Sequence, residues 1–214
     1  MKRTAYAYTD NLHMQLKQVN PDQFREIHRG IDFYMDQYEE LKEQYGGMTT
    51  AYNFLENAQQ IIDEQMEISD MKVECHKGCS LCCQINVDIT EDEAELLVKH
   101  VADARIDIDI NKLERQSKAD AWLKQTAEDR KCQFLDKDGA CKVYEYRPMN
   151  CRRHLVITEP ELCDAIKYPK GEVGRMSVFE AEAITTAIMT TCKTDSMPKL
   201  LLEKIYEVQS LTGS

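Results

Sequence analysis

From Pro21 onward, apolar residues recur at alternating steps of three and four: Phe24, Ile27, Ile31, Tyr34, Tyr38, Leu41 and Tyr45. That spacing draws a single apolar stripe along a helix. Gly46-Gly47 ends it. A second helical run, over about residues 49–69, sets Tyr52, Leu55, Ala58, Ile62 and Met66 on one side. The short connection predicts an antiparallel hairpin whose stripes pack on each other and on the rest of the chain. Residues 1–20 are polar and read as loose coil or a short helix.

Further along, Thr90-Glu91-Asp92-Glu93 is a capping box. The threonine side chain takes a backbone N–H and the glutamate reaches back. The helix it opens carries Ala94, Leu97, Val98 and Val101. ARIDIDIN, from residue 104, alternates Ile with Asp and fits a short strand or an extended linker equally. A long helix is expected over residues 112–130, with Leu113, Trp122 and Leu123 inside. Residues 132–144 read as a small β-hairpin, with Phe134-Leu135 and Val143-Tyr144 flanking the Asp138-Gly139 turn. Pro148 breaks the chain. Ser177 and Glu180 form another capping box, for a helix through about Cys192. Pro198 starts a last amphipathic helix carrying Leu201, Leu202, Ile205 and Val208. The fold class is therefore mainly α. A helical hairpin over residues 1–71 precedes a helical domain over 72–214 with irregular, cysteine-rich, metal-bound loops and a small β-hairpin.

The chain has 214 residues, 43% hydrophobic and 30% charged. That is enough to bury a core without covalent staples. The net charge of −11 argues against a phosphate-binding surface and a nucleic-acid partner. Arg147, Arg152 and Arg153 form one local basic patch. The start, MKRTAYAYTDNLHMQL, has a basic pair with no apolar segment after it, and no apolar run reaches membrane-spanning length. A cytoplasmic protein with no membrane partner is expected. The helical hairpin is the surface expected to meet a protein partner or a second copy.

Composition changes the picture most through sulfur. Of nine cysteines, eight fall in two groups. Cys75, Cys79, Cys82 and Cys83 lie in CHKGCSLCC. Cys132, Cys141, Cys151 and Cys163 are spread over the second stretch. Reduced cytoplasmic thiols and the odd count favour metal ligation over disulfides. Cys79-x-x-Cys82 is a loop that lets two thiolates chelate one tetrahedral ion or two corners of a cluster, and Gly78 lets the backbone turn there. Cys75 is near enough to join them. Cys82 and Cys83, if extended, point to opposite sides and suit a multi-metal object better than one ion. Cys132 and Cys141 bracket the hairpin and meet at its open end. Arg152 and Arg153, beside Cys151, offset thiolate charge. His154 reads as structural, His76 sits one residue from Cys75, awkward for joint chelation, and Cys192 reads as a small core hydrophobe.

CHKGCSLCC, ITEDEAELL and CQFLDKDGACKVYEYRPMNCRRH together resemble the YkgJ-like cysteine-cluster family, whose members carry a zinc- or iron-chelating domain. The family's motifs fall here on Cys75, Cys79, Cys82-Cys83, Cys132-Gln133-Phe134-Leu135, Cys141-Lys142-Val143-Tyr144 and Arg147-Pro148-Met149-Asn150-Cys151-Arg152. A later family cysteine followed by glycines resembles Cys163 with Gly171 and Gly174. The resemblance covers about residues 72–190 and implies metal ligation by these eight cysteines. The same pattern occurs in flagellin lysine methyltransferases, which are much longer, so their activity is not implied.

All-sulfur ligands, the adjacent pair and the flanking arginines favour an iron–sulfur cluster, [4Fe–4S], over zinc. Its role would be redox chemistry, cluster carriage or metal handling. The alternative is a non-catalytic interaction module stapled by zinc. Cys75-x3-Cys79-x2-Cys82 also matches the cluster spacing of radical-SAM enzymes. Against that class, no strand–helix repeat builds a barrel, Leu81 stands where an aromatic would precede Cys82, and Cys83 follows at once. No Ser/His/Asp set, phosphate-cradling glycine loop or HExxH is present.

Overall fold

The structure, a computed structural model, describes residues 21–76, 78–119, 122–168 and 173–212. The expected coil or helix over 1–20, and Gly171, lie outside them. Helix α1 (Pro21–Tyr45) and helix α2 (Gly47–Ile68) form the hairpin. Gly46 makes the turn at φ 82°, a conformation that side chains with a Cβ avoid. The α1 stripe is buried at Ile27, Ile31, Tyr34 and Tyr38, while Tyr45 stays exposed. In α2 the inward side is Thr50, Ala51, Phe54, Leu55, Ala58 and Ile62. Tyr52 and Met66, expected on that side, are exposed, because Phe54 and Ala51 turn the helix toward α1.

Strand β1 (Asp88–Thr90) leads into α3 (Glu91–Asp103) through the expected capping box. Thr90 Oγ1 accepts from the Glu93 N–H at 3.2 Å, and Glu93 Oε2 accepts from the Thr90 N–H at 2.8 Å. Residues 104–109 run as a turn and linker, not a strand. Asp109 then caps α4 (Ile110–Ser117). The single helix expected over 112–130 is not formed. After α4 come a one-turn 3-10 helix at Trp122–Lys124 and α5 (Ala127–Arg130). Thr126 caps a new helix by accepting from the Asp129 N–H, so the local signal restarts the helix instead of prolonging it. Leu123, expected inside, is exposed.

The expected hairpin at 132–144 is reduced to a turn with one bridge, Leu135 to Cys141. Helix α6 (Met149–Arg152) follows Pro148. Strands β2 (Leu155–Val156) and β3 (Arg175–Met176) pair antiparallel, Leu155 opposite Met176. Helix α7 (Phe179–Thr191) has Val178 as its cap residue and no side-chain cap. The expected Ser177–Glu180 box is absent because Glu180 accepts from the Tyr34 hydroxyl at 2.6 Å. Strand β4 (Thr194–Ser196) pairs with β1, and α8 (Met197–Thr212) closes the chain.

Two cores result. One joins α1, α2 and α7 through residues such as Ile31, Tyr38, Leu55, Ile184 and Ile188, and takes in Met149 and Leu155. The other joins α3, α4 and α8 through Leu97, Leu113 and Leu200, with Phe134 from the cysteine stretch. The cysteine loops hang between these two cores. Among the described residues no helix is long and apolar enough to cross a membrane.

Candidate metal centre

The first cysteine stretch leaves α2 as extended chain. Glu74 donates its N–H to the Val156 carbonyl at 2.8 Å. This lays Cys75 beside β2, where its sulfur donates to the His154 carbonyl (3.4 Å) and accepts from the Val156 N–H (3.3 Å). Gly78 turns the chain at φ 92°. Leu81–Gln84 then forms one turn of 3-10 helix. Cys82 and Cys83 are therefore not extended and do not point oppositely. Adjacent side chains in a 3-10 turn lie about 120° apart, and the Cys83 side chain hydrogen-bonds to Cys82.

The second stretch docks directly on the first. The Cys132 N–H donates to the Cys83 carbonyl at 2.8 Å. At the other end of that turn, Gly139 sits at φ 80°, where a Cβ would stand 2.8 Å from the Gly78 carbonyl oxygen. Two glycines thus let the tips of the two loops touch.

Cys151 is delivered by a different device. The capping-box carboxylate of Glu93 has a second oxygen, which accepts from the Met149 N–H at 2.8 Å. It pins the start of α6, so one buried glutamate fixes both α3 and the turn that carries Cys151. Burial raises the Glu93 pKa, against the backbone donors from Met149 and Thr90 that lower it.

Seven of the eight cysteines, Cys75, Cys79, Cys82, Cys83, Cys132, Cys141 and Cys151, line one cavity of about 1570 Å³. Cys163, from a 3-10 turn at Pro160–Cys163, stands close enough for its charge to couple to Cys82, Cys75 and Cys79. Cys151 couples likewise to Cys132, Cys82 and Cys141. Burial pushes Cys132 up to about 12, Cys163 up to about 11 and Cys151 well above the usual thiol range. In each, neighbouring thiolates push the same way. The hydrogen bond that the Cys82 thiol donates to Cys83, then burial, raises Cys82. Without a cation these sulfurs stay protonated, and a cation that displaces their protons is the species that suits them. Among the described residues no three Cys, His, Asp or Glu side chains form a ready-made ligand group for an ion. The donors are gathered around a shared space without being closed on a point.

Arg147 borders the cavity, and its charge lowers the thiol pKa of Cys75, Cys82 and Cys141. Its guanidinium lies over the Tyr144 ring at 4.0 Å, and its buried Nε has no hydrogen-bond partner among the described residues. The readable signal was the Arg147-Pro148 step. A residue before proline is held extended, and Arg147 sits at φ −60°, ψ 141°. Arg152 also borders the cavity, but its donors go to the Arg147 and Glu145 carbonyls and to Gln59. Arg153 turns to Glu182 on α7 and to Asn150. His154 is held neutral: burial, then the Arg175 and Arg153 cations, bring its pKa down to about 4. His76 is exposed, with Nδ1 2.9 Å from the Glu74 carbonyl oxygen.

Cys192 also borders the cavity but belongs to a buried polar knot. Its sulfur donates to Asp92 Oδ2 at 3.2 Å. The same carboxylate oxygen accepts from Tyr38 Oη and pairs with Lys42 Nζ, both at 2.8 Å. It is a core cysteine with a polar partner, more than a hydrophobe.

Residues 74–168 match the model of the CxxCxxCC family, described as "Putative zinc- or iron-chelating domain". The matched segment contains all eight clustered cysteines and excludes Cys192, α1, α2, α7 and α8. No curated protein and no solved structure gives a significant match. The matched segment is similar to this cysteine-cluster domain and is set between flanking helices.

Proposed function

We propose that this chain is a cytoplasmic metal-binding protein whose cysteine cavity holds an iron–sulfur cluster of the [4Fe–4S] type, for redox chemistry, cluster carriage or metal handling. The observation that carries the reading is the convergence of seven thiols, from two separate stretches of the chain, on one cavity, with Cys163 close beside them. The donor chemistry fits. Every candidate ligand is sulfur, which suits iron–sulfur clusters and zinc and suits hard cations poorly. Arg147 lines the same cavity and has a buried Nε with no partner among the described residues, a donor that an anionic, sulfur-rich object would suit. Ligands would come from Cys75, Cys79, Cys82, Cys83, Cys132, Cys141, Cys151 and Cys163. A bound cluster supplies one-electron chemistry, or is itself the cargo. The chain's own part is to exclude water with the two cores, to set the charge beside the cluster with Arg147, and to hold the loops together through Gly78 and Gly139.

A zinc-stapled interaction module is the second reading. It is favoured by how little regular structure the loops have between α2 and β1 and between α5 and α7, as in folds that depend on a structural metal. Anaerobic purification followed by iron, acid-labile sulfide and zinc analysis separates the two. Brown protein with about four irons per chain supports the cluster. Colourless protein with stoichiometric zinc replaces it with the staple.

A further inference from the structure

The cavity, at about 1570 Å³, exceeds the roughly 300–1,000 Å³ of ordinary small-molecule sites, and a metal centre fills only a small part of it. Its α2 wall is a single helix face. Gln59, Ile62, Asp63 and Met66 line the cavity at steps of three and four, the spacing that sets side chains together on a helix. Two arginines reach the Gln59 end. Arg147 Nη2 and Arg152 Nη1 both donate to Gln59 Oε1, at 3.4 and 3.2 Å. Arg152 is only 3% exposed and gives its other donors to the Arg147 and Glu145 carbonyls. Its ion-pair contact among the described residues is Glu56, half exposed and 3.8 Å away. Arg147 has no carboxylate partner among them. Two guanidinium cations thus converge on one neutral oxygen, in a chain of net charge −11. Gln59 in turn donates to Asp63 Oδ1 at 2.8 Å, so an amide stands between the arginines and that acid.

The free part of Arg147 is an edge. The Tyr144 ring covers one face of its guanidinium at 4.0 Å. Nε is buried without a partner among the described residues, and Nη2 has the long contact to Gln59. A guanidinium edge is the fork that takes the two oxygens of a carboxylate in parallel bonds.

We propose that this end of the cavity binds a small organic carboxylate, whose head displaces the Gln59 amide from Arg147 and Arg152 and whose apolar body lies along Ile62 and Met66. The site stands on the two arginines and not on the thiols. Its role as a substrate site beside a metal rests on the reading above, since both line the same cavity.

The test is calorimetric titration of the full chain, purified anaerobically with the metal it retains. The probes are acetate, butyrate, hexanoate, hexanamide and inorganic phosphate. Hexanoate is expected to bind more tightly than acetate, by about 3- to 4-fold for each methylene buried, and hexanamide is expected not to bind. Arg147→Gln should weaken hexanoate about 10- to 100-fold. Gln59→Glu should weaken it similarly, because its own carboxylate takes the two arginines, whereas Gln59→Ala should bind hexanoate at least as tightly as wild type. Circular dichroism checks each fold. If Arg147→Gln misfolds, the Gln59 pair decides, since a purely structural Gln59 gives no opposite effects on affinity. The site is overturned if no carboxylate binds, if hexanamide matches hexanoate, if phosphate binds more tightly than every carboxylate, or if Gln59→Glu keeps wild-type affinity. Hexanoate bound only after a chelator strips the metal also overturns it, because the centre itself then occupies the arginines. Hexanoate bound by a chain that retains no metal supports the site and counts against the metal reading instead.

Discussion

Gly139→Ala perturbs the place where the two cysteine loops meet. Two penalties combine there. The residue sits at φ 80°, which costs a side chain with a Cβ about 1–2 kcal/mol. The new Cβ would also stand 2.8 Å from the Gly78 carbonyl oxygen, a backbone atom that cannot swing away. Relieving that overlap separates the loop tips, at about 1–3 kcal/mol. Gly78→Ala is the matched control. Its φ of 92° carries the same kind of strain, but its nearest neighbour would be at 3.8 Å, ordinary contact. If both loops contribute ligands, the cost appears in metal affinity. Gly78→Ala should weaken binding about 5- to 30-fold, and Gly139→Ala about 30-fold to a few thousand-fold. The assay is chelator competition for zinc under anaerobic conditions, with a thermal melt of the metal-free protein alongside. Equal losses in the two variants would refute the loop contact. Wild-type affinity in Gly139→Ala would refute the docking of the two stretches altogether.

Four further outcomes follow from particular contacts. Gly47→Ala should destabilise despite the usual gain of about 1 kcal/mol for alanine in a helix, because its Cβ would overlap the buried Asp92 carboxylate; a urea midpoint at or above wild type contradicts this. Thr90→Ala should cost about 1–2 kcal/mol, since it removes the cap that also seats Glu93 against Met149, and the same urea titration reads it. His154 has a folded pKa of about 4 against about 6.5 unfolded. The fold refuses a proton that the unfolded chain accepts, so stability is full above pH 6.5 and falls by about 2–3 kcal/mol as pH drops toward 4; His154→Gln should flatten that window in denaturation at fixed metal content. Cys79→Ser should lose metal, whereas Cys192→Ser should keep it and shift stability by less than about 1 kcal/mol, because serine still donates to Asp92; metal analysis and a melt of both variants check this.

The helical hairpin and the Thr90 capping box were legible because their signals are local: a spacing of three and four, a glycine stop, a threonine three residues before a glutamate. Where a second partner intervenes, local signals mislead. Ser177-x-x-Glu180 has the letters of a box, but Tyr34 takes the glutamate. The 112–130 run has helical spacing, but Thr126 restarts it. The grouping of eight cysteines was visible in composition and motif. Their mutual arrangement was not, because it depends on glycine-to-carbonyl contact between loops and on a glutamate shared by two elements. Arg147 was legible only as part of a basic patch. Its role beside the sulfur comes from the proline that follows it and the tyrosine beneath it.

Mass-spectrometric alkylation of each cysteine, in the metal-loaded and chelated protein, tests the central claim most directly. The account predicts that loading protects thiols of both stretches, Cys75, Cys79 and Cys82 together with Cys132, Cys141 and Cys151, while Cys192 does not change. Protection confined to one stretch, or unaltered by metal, would contradict it.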